Sequence, residues 1–154
     1  MKVYRLHRRQ HLPLSPEQSW TFFSNPRNLG RITPPELGFS ITSEVPERMV
    51  EGMIITYRLR LPPGNHVDWI TEIKHVDPPL CFIDEQRVGP YRFWYHEHRF
   101  TPVGDGVETV DTVHYALPFG VLGRVAHALF VHRQLNRIFD YRQDFLQGLF
   151  GSPV

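Results

Sequence analysis

The chain has one cysteine, Cys81, so no intramolecular disulfide can form, and such sparse usage suits a reducing compartment. No apolar run follows Met1, which argues against a signal peptide. The longest greasy stretch, Phe119 to Val131, is too short to span a bilayer and is interrupted by Arg124 and His127. Neither sign of charge is in excess. A formal net charge of +1 is far from that of a dedicated nucleic-acid binder. There is no Gly-x-Ser-x-Gly elbow, no Gly-x-Gly-x-x-Gly turn and no Walker loop, so no motif points to a serine hydrolase or to a bound nucleotide. Cys81 has no basic sequence neighbour to activate it and reads as a small core residue. Repeats, linkers and low-complexity tracts are also missing. The expectation is one domain over residues 1–154, cytoplasmic, with no nucleic-acid partner and no membrane insertion; oligomeric state is not readable.

What is present is aromatic. Eleven Phe and three Trp favour a roomy apolar interior. Residues 2–12 read as a first strand. Ser15-Pro16-Glu17-Gln18 carries the signs of a helix start: a Ser cap, Pro at the first helical position, and Gln three residues after the cap. That helix carries Trp20, Phe22 and Phe23, and a second short helix is expected over Arg27 to Ile32. Strands follow. Phe39, Ile41 and Val45 alternate with polar residues, as do Ile55, Tyr57, Leu59 and Leu61, while Trp69, Thr71 and Ile73 share a face of the next strand. Further strands are read over Leu80 to Arg87, through Trp94 to Phe100, and over Val107 to Leu117. From Val121 to about Phe150 there is no Pro, and Leu122, Val125, Leu129, Leu135, Ile138, Phe139, Phe145 and Leu149 recur at helical spacing. A helix of about 28 residues runs roughly 42 Å and needs a long partner, which only the sheet offers. The pattern is α+β: about seven antiparallel strands wrapped around a long C-terminal helix, with two short helices after strand 1.

The strand Trp94-Tyr-His-Glu-His-Arg-Phe100 is the most informative segment. Alternation places Trp94, His96, His98 and Phe100 on one face, and Tyr91, Phe93, Tyr95, Glu97 and Arg99 on the other. If residues 101–107 form a tight hairpin end, His98 falls opposite Asp111, His96 opposite Val113 and Trp94 opposite Tyr115. Similar counting around Gly89-Pro90 sets Asp84 near Trp94 and Phe82 near His96. Two imidazoles between large aromatics suit a cavity wall that accepts something partly apolar and partly polar.

Several motifs, in this order, resemble the START/Bet v 1-like (SRPBCC) superfamily, most closely its bacterial polyketide cyclase/dehydrase-like ligand-binding proteins. They are Leu14-Ser-Pro-Glu-Gln-Ser-Trp20 with Phe22-Phe23 and Asn25-Pro26, Glu51-Gly52-Met53, and Trp69-Ile-Thr-Glu-Ile73. To these are added Phe82-Ile-Asp-Glu-Gln86 through Gly89-Pro90-Tyr91, Trp94-x-His96-x-His98-x-Phe100, and Asp111-x-Val113-x-Tyr115 before Pro118. The resemblance implies a helix-grip fold with a deep cavity between sheet and long helix for an apolar or amphipathic molecule. It implies no particular reaction, because that superfamily mixes enzymes, transporters and binding modules.

The candidate ligand-binding residues are Tyr57, Trp69, Phe82, Asp84, Trp94, His96, His98, Asp111 and Tyr115. Three readings of the polar group stay open: recognition or structural pairing inside a cavity, acid–base chemistry, or an outward, solvated His-x-His. In the second, Asp111 would fix and activate His98 as a base, with Tyr115 or Tyr57 stabilising an enolate, as a cyclase or dehydratase requires. No cofactor is expected. His96, His98 and Asp111 have the donor types of a zinc site, but no Cys or His-x-x-x-His supports one and no metal is assigned. His127 and His132, five apart on the helix, would point about 140° away from each other. A macromolecular (ribosome or respiratory-partner) interaction module is a further alternative, resting only on Lys2, Arg5, Arg8, Arg9, Arg27 and Arg31, which otherwise read as solvated faces.

Overall fold

The computed structural model describes residues 1–151; residues 152–154, the end of the expected domain, lie outside the described residues. The elements are β1 (Tyr4–Leu12), α1 (Pro16–Phe23), β2 (Ser40–Ile41), β3 (Ile54–Leu61), β4 (Asn65–Asp77), β5 (Cys81–Val88), β6 (Phe93–Val103) and β7 (Gly106–Ala116). They are followed by a continuous helical run of α2 (Gly120–Ala126), a π turn (His127–Val131) and α3 (His132–Phe150). The strands form one antiparallel sheet in the order β1-β7-β6-β5-β4-β3-β2. This is the expected α+β helix-grip architecture.

Local chemistry explains the start of α1. Ser15 accepts from the Gln18 backbone N–H while the Gln18 side chain accepts from the Ser15 N–H, and Pro16 sits where no helical donor is needed. The expected second helix over Arg27 to Ile32 shrinks to a single 3-10 turn, Pro26–Asn28, and a separate one, Pro35–Leu37, follows it. Pro34 and Pro35 cap the available length, and Asn25 caps the first turn with its side chain. The alternation around Phe39 to Val45 yields only the two residues of β2: Thr42 N–H still donates to Thr56 O, but the Ser43 side chain rather than the backbone accepts from Thr56 N–H, and Pro46 follows.

Period-two patterning holds through the sheet. Ile55, Tyr57 and Leu59 on β3 and Trp69, Thr71 and Ile73 on β4 are buried on the inner face. Register shifts between β4 and β5 at Ile70/Thr71 and Ile73/His75 bend the sheet. On α3, Leu135, Phe139, Arg142 and Leu146 are buried at spacings of four, three and four, the stripe that faces the sheet. Two apolar clusters result: one around Tyr57, Trp69, Trp94, Tyr115, Leu135 and Phe139, the other around Leu12, Phe22, Phe82, Phe100 and Leu146. Each fully buried side chain of this kind contributes about 1.5–3 kcal/mol.

Three sequence expectations need correction. First, β5 and β6 pair two residues out from the counted register, with Asp84 opposite His96 and Phe82 opposite His98. The connection is wider than a turn at Gly89-Pro90, because the Gln86 side chain bridges it, donating to Tyr91 O and accepting from Tyr91 N–H. A shift of two preserves the face. Second, β6 begins at Phe93, so Tyr91 escapes the alternation and packs inward against Trp69, Trp94 and Tyr115. Third, His127 and His132 do meet, ring centroids 5.6 Å apart, because the intervening turn is a π turn, in which residues five apart share a face.

Candidate functional site

The sheet and α3 enclose a cavity of about 690 Å³. Of the expected ligand-binding residues, Tyr57, Trp69, Phe82, Asp84, Trp94, His96 and His98 line it. The β6–β7 hairpin has the counted register, with His98 opposite Asp111, His96 opposite Val113 and Trp94 opposite Tyr115. Both imidazoles are buried, so the outward reading of His-x-His is excluded. Asp111 and Tyr115 stand behind the wall. Asp111 meets the imidazoles and Arg142, while the Tyr115 hydroxyl bonds His127 Nε2 at 2.9 Å.

The polar wall is a network of charges rather than one dyad. His98 Nε2 donates to Asp84 Oδ2 at 2.7 Å, and its Nδ1 lies 3.1 Å from Asp111 Oδ1. His96 Nε2 donates to that same Asp111 oxygen at 2.8 Å, leaving its Nδ1 3.7 Å from Asp84. Arg142 Nη1 reaches Asp111 at 3.4 Å from α3. The imidazole rings lie against each other, tilted by 33° with centroids 3.6 Å apart, and Phe82 stacks on His98 at 4.0 Å.

These contacts sort the protonation states. Burial opposes a charge on His98, but hydrogen bonds to Asp111 and Asp84 outweigh it and raise the imidazole above its ordinary value. For His96, burial and the adjacent His98 win over Asp111, and its value is lowered. Burial pushes the carboxyl of Asp84 up, yet the bond from His98 and the charges around it hold it below the usual range. Against the same burial, Arg142 and both histidines hold Asp111 well below. Below the raised value of His98 and above the lowered value of His96, the group holds two carboxylates, the Arg142 guanidinium, one imidazolium at His98 and a neutral His96. Two negative and two positive charges cancel, as a buried group of charges must.

Asp84, His96 and His98 bring ligand-type atoms within 4.8 Å of one another. Such donors suit zinc. Both nitrogens of His98 face carboxylates, however, so a metal there would have to displace a proton and break the hydrogen bond to Asp84.

Other residues with polar groups line the cavity. The Tyr57 hydroxyl shares a hydrogen bond with Thr71 Oγ1 at 2.9 Å, and burial together with Asp84 raises its pKa, keeping it protonated. Trp69 Nε1 and Arg142 Nε are buried with no hydrogen-bond partner among the described residues. Sequence reasoning missed Arg142, although its signal was present: an arginine occupies an apolar position in the Leu135–Phe139–Leu146 stripe. The N-terminal cations are partly used within the fold, Arg8 by Asn136 and Asp140, and Arg9 by Glu108. Cys81 is buried opposite Arg99, and burial pushes its thiol up.

No family model and no curated protein matches the chain. Solved structures do match its shape. Protein TTHA0849 of Thermus thermophilus superposes with a TM-score of 0.71 at 18% identity, covering 94% of this chain and 95% of that one. Protein CV1439 of Chromobacterium violaceum gives 0.69 at 15%, covering 98% of each. Major latex-like protein 151 of ginseng, Panax ginseng, gives 0.68 at 11%, covering 96% and 97%. At such identities the likeness shows the fold: the chain has the Bet v 1-like helix-grip architecture.

Proposed function

We propose that the chain, as one domain over residues 1–154, binds an amphipathic small molecule between the sheet and α3. The apolar body would lie against Trp69, Phe82 and Trp94, and a polar end would meet Tyr57, Asp84, His96 and His98. Asp111 would act through the imidazoles it holds, and Tyr115 through His127. The observation that supports this most is the composition of the cavity wall, apolar through Trp69, Phe82 and Trp94 and polar at one place through Tyr57, Asp84, His96 and His98. The test is titration with the apolar fluorophore N-phenyl-1-naphthylamine, read by energy transfer from Trp69 and Trp94. Saturable one-to-one transfer is expected; none at any concentration below the probe's solubility would remove the reading.

A second reading, a cyclase or dehydratase, is favoured by the gathering of two imidazoles and two carboxylates at one place on the cavity wall. If Asp111 receives the Nε2 proton of His96, Nδ1 keeps a lone pair, whereas both nitrogens of His98 face carboxylates that would hold its protons. The base would then be His96 and the acid His98, with Asp111 positioning both. On an aromatic polyketide-type substrate, His96→Gln would abolish turnover while leaving naphthylamine binding within a few-fold. Equal loss of both would leave binding alone.

A further inference from the structure

α3 buries its apolar stripe, but the helical run before it does the opposite. Phe119 is 81% exposed, Leu122 75%, Phe130 65% and Val121 62%, with Leu129 and Val125 also half or more in solvent. Six large apolar side chains within Phe119–Phe130 form a patch of the kind that marks an interaction surface. The backbone helps to present it. Phe119 takes a left-handed conformation at φ 66, uncommon for a bulky residue. Gly123 lies so close to Leu117-Pro118 that a Cβ would sit 2.1 Å from Pro118 O, which clamps α2 onto the preceding segment. Leu117, Pro118, Phe119, Leu122, Gly123 and Ala126 also line the cavity, so the patch surrounds one side of its mouth.

Charge identifies the occupant. From Thr112 through Phe139 the sequence has no Asp or Glu. Arg124 and Arg133 are exposed and make no ion pair among the described residues. Pairing of Tyr4 with Tyr115, and stacking of Tyr4 on His127 at 3.5 Å, bring the exposed Lys2 and Arg5 to the same end. No helix of the described residues is long and apolar enough to cross a membrane. An apolar helical face flanked by cations and free of acids instead fits the headgroup region of an anionic bilayer, where it lies rather than spans. We propose that α2 and the π turn dock on an anionic lipid surface, bringing the cavity mouth to the bilayer. Docking itself does not depend on the ligand-binding reading.

The test is flotation of the full chain with phosphatidylcholine vesicles, with and without phosphatidylglycerol. Flotation with the anionic vesicles is expected, weakening as salt rises. L129S/F130S, which changes two exposed residues outside the cavity wall, is expected to lower partitioning at least tenfold with an unchanged melting temperature. R124Q/R133Q should reduce partitioning to the level seen with phosphatidylcholine alone. As a gain-of-signal check, the added indole of Phe130→Trp should be quenched by brominated lipid. Failure to float with either vesicle, or undiminished flotation of L129S/F130S, overturns the proposal. So does a wild-type dimer that L129S/F130S converts to monomer, which would assign the face to a second copy of the chain.

Discussion

Replacing Asp111 by Asn keeps the shape of the side chain and removes one charge from the centre of the buried network. One oxygen of Asp111 receives His96 at 2.8 Å, His98 at 3.1 Å and Arg142 at 3.4 Å. The substitution leaves an imidazolium and a guanidinium facing the single carboxylate of Asp84. Removing one member of a buried pair costs about 3–5 kcal/mol, because the remaining charge is neither solvated nor matched. For a domain of this size each kcal/mol moves the melting temperature by about 2–4 °C, so a fall of roughly 6–20 °C is expected. Urea unfolding at neutral pH measures the loss. Asp68→Asn is the control: the Arg58–Asp68 pair, 2.9 Å long, has both partners more than half exposed and is worth about 0–1 kcal/mol. Adding Arg142→Met to Asp111→Asn removes one stranded cation, so the double variant should lose less than the sum of the singles. An Asp111→Asn loss no larger than that of Asp68→Asn would refute the buried charge network.

Further expectations concern protonation, capping and reactivity. The raised value of His98 means its stabilisation is complete below about 6.5 and is lost as pH rises through the folded value. The lowered values of Asp84 and Asp111 mean theirs is present above about 3.9 and is lost as pH falls through the folded values. Ring nitrogen NMR slightly above pH 6.5 should show His98 protonated on both nitrogens and His96 neutral; the reverse assignment would contradict the network. Ser15→Ala should cost about 0.5–2 kcal/mol in urea unfolding by breaking the capping box, and no measurable loss would show that the cap is dispensable. Cys81, buried with a raised pKa, should react with a disulfide reagent only on unfolding. Rapid native labelling would show that β5 opens.

Much of the fold was legible because its signals are local and redundant. The cap at Ser15, the alternation on β3 and the apolar stripe of α3 each declare their element without reference to the others. The β6–β7 register followed from a short hairpin and brought Asp111 to the histidines. The β5–β6 register did not, because a glutamine side chain, rather than the backbone, closes that connection. The π turn was invisible for the same reason, since nothing in the residues from His127 to Val131 distinguishes it from an α-helix in advance. At the site, strand alternation revealed the imidazoles, but Arg142 comes from α3 and becomes part of the wall only through tertiary packing. The division of roles between His96 and His98 depends on two distances at Asp84 that differ by 1 Å (2.7 against 3.7 Å), beyond the reach of any pattern.

The proposed binding of a small molecule is tested most directly by native mass spectrometry of freshly purified protein, repeated after incubation with N-phenyl-1-naphthylamine. Expected is either a co-purifying organic adduct, released on denaturation, or stoichiometric uptake of the probe. A bare polypeptide mass in both spectra would contradict a binding cavity.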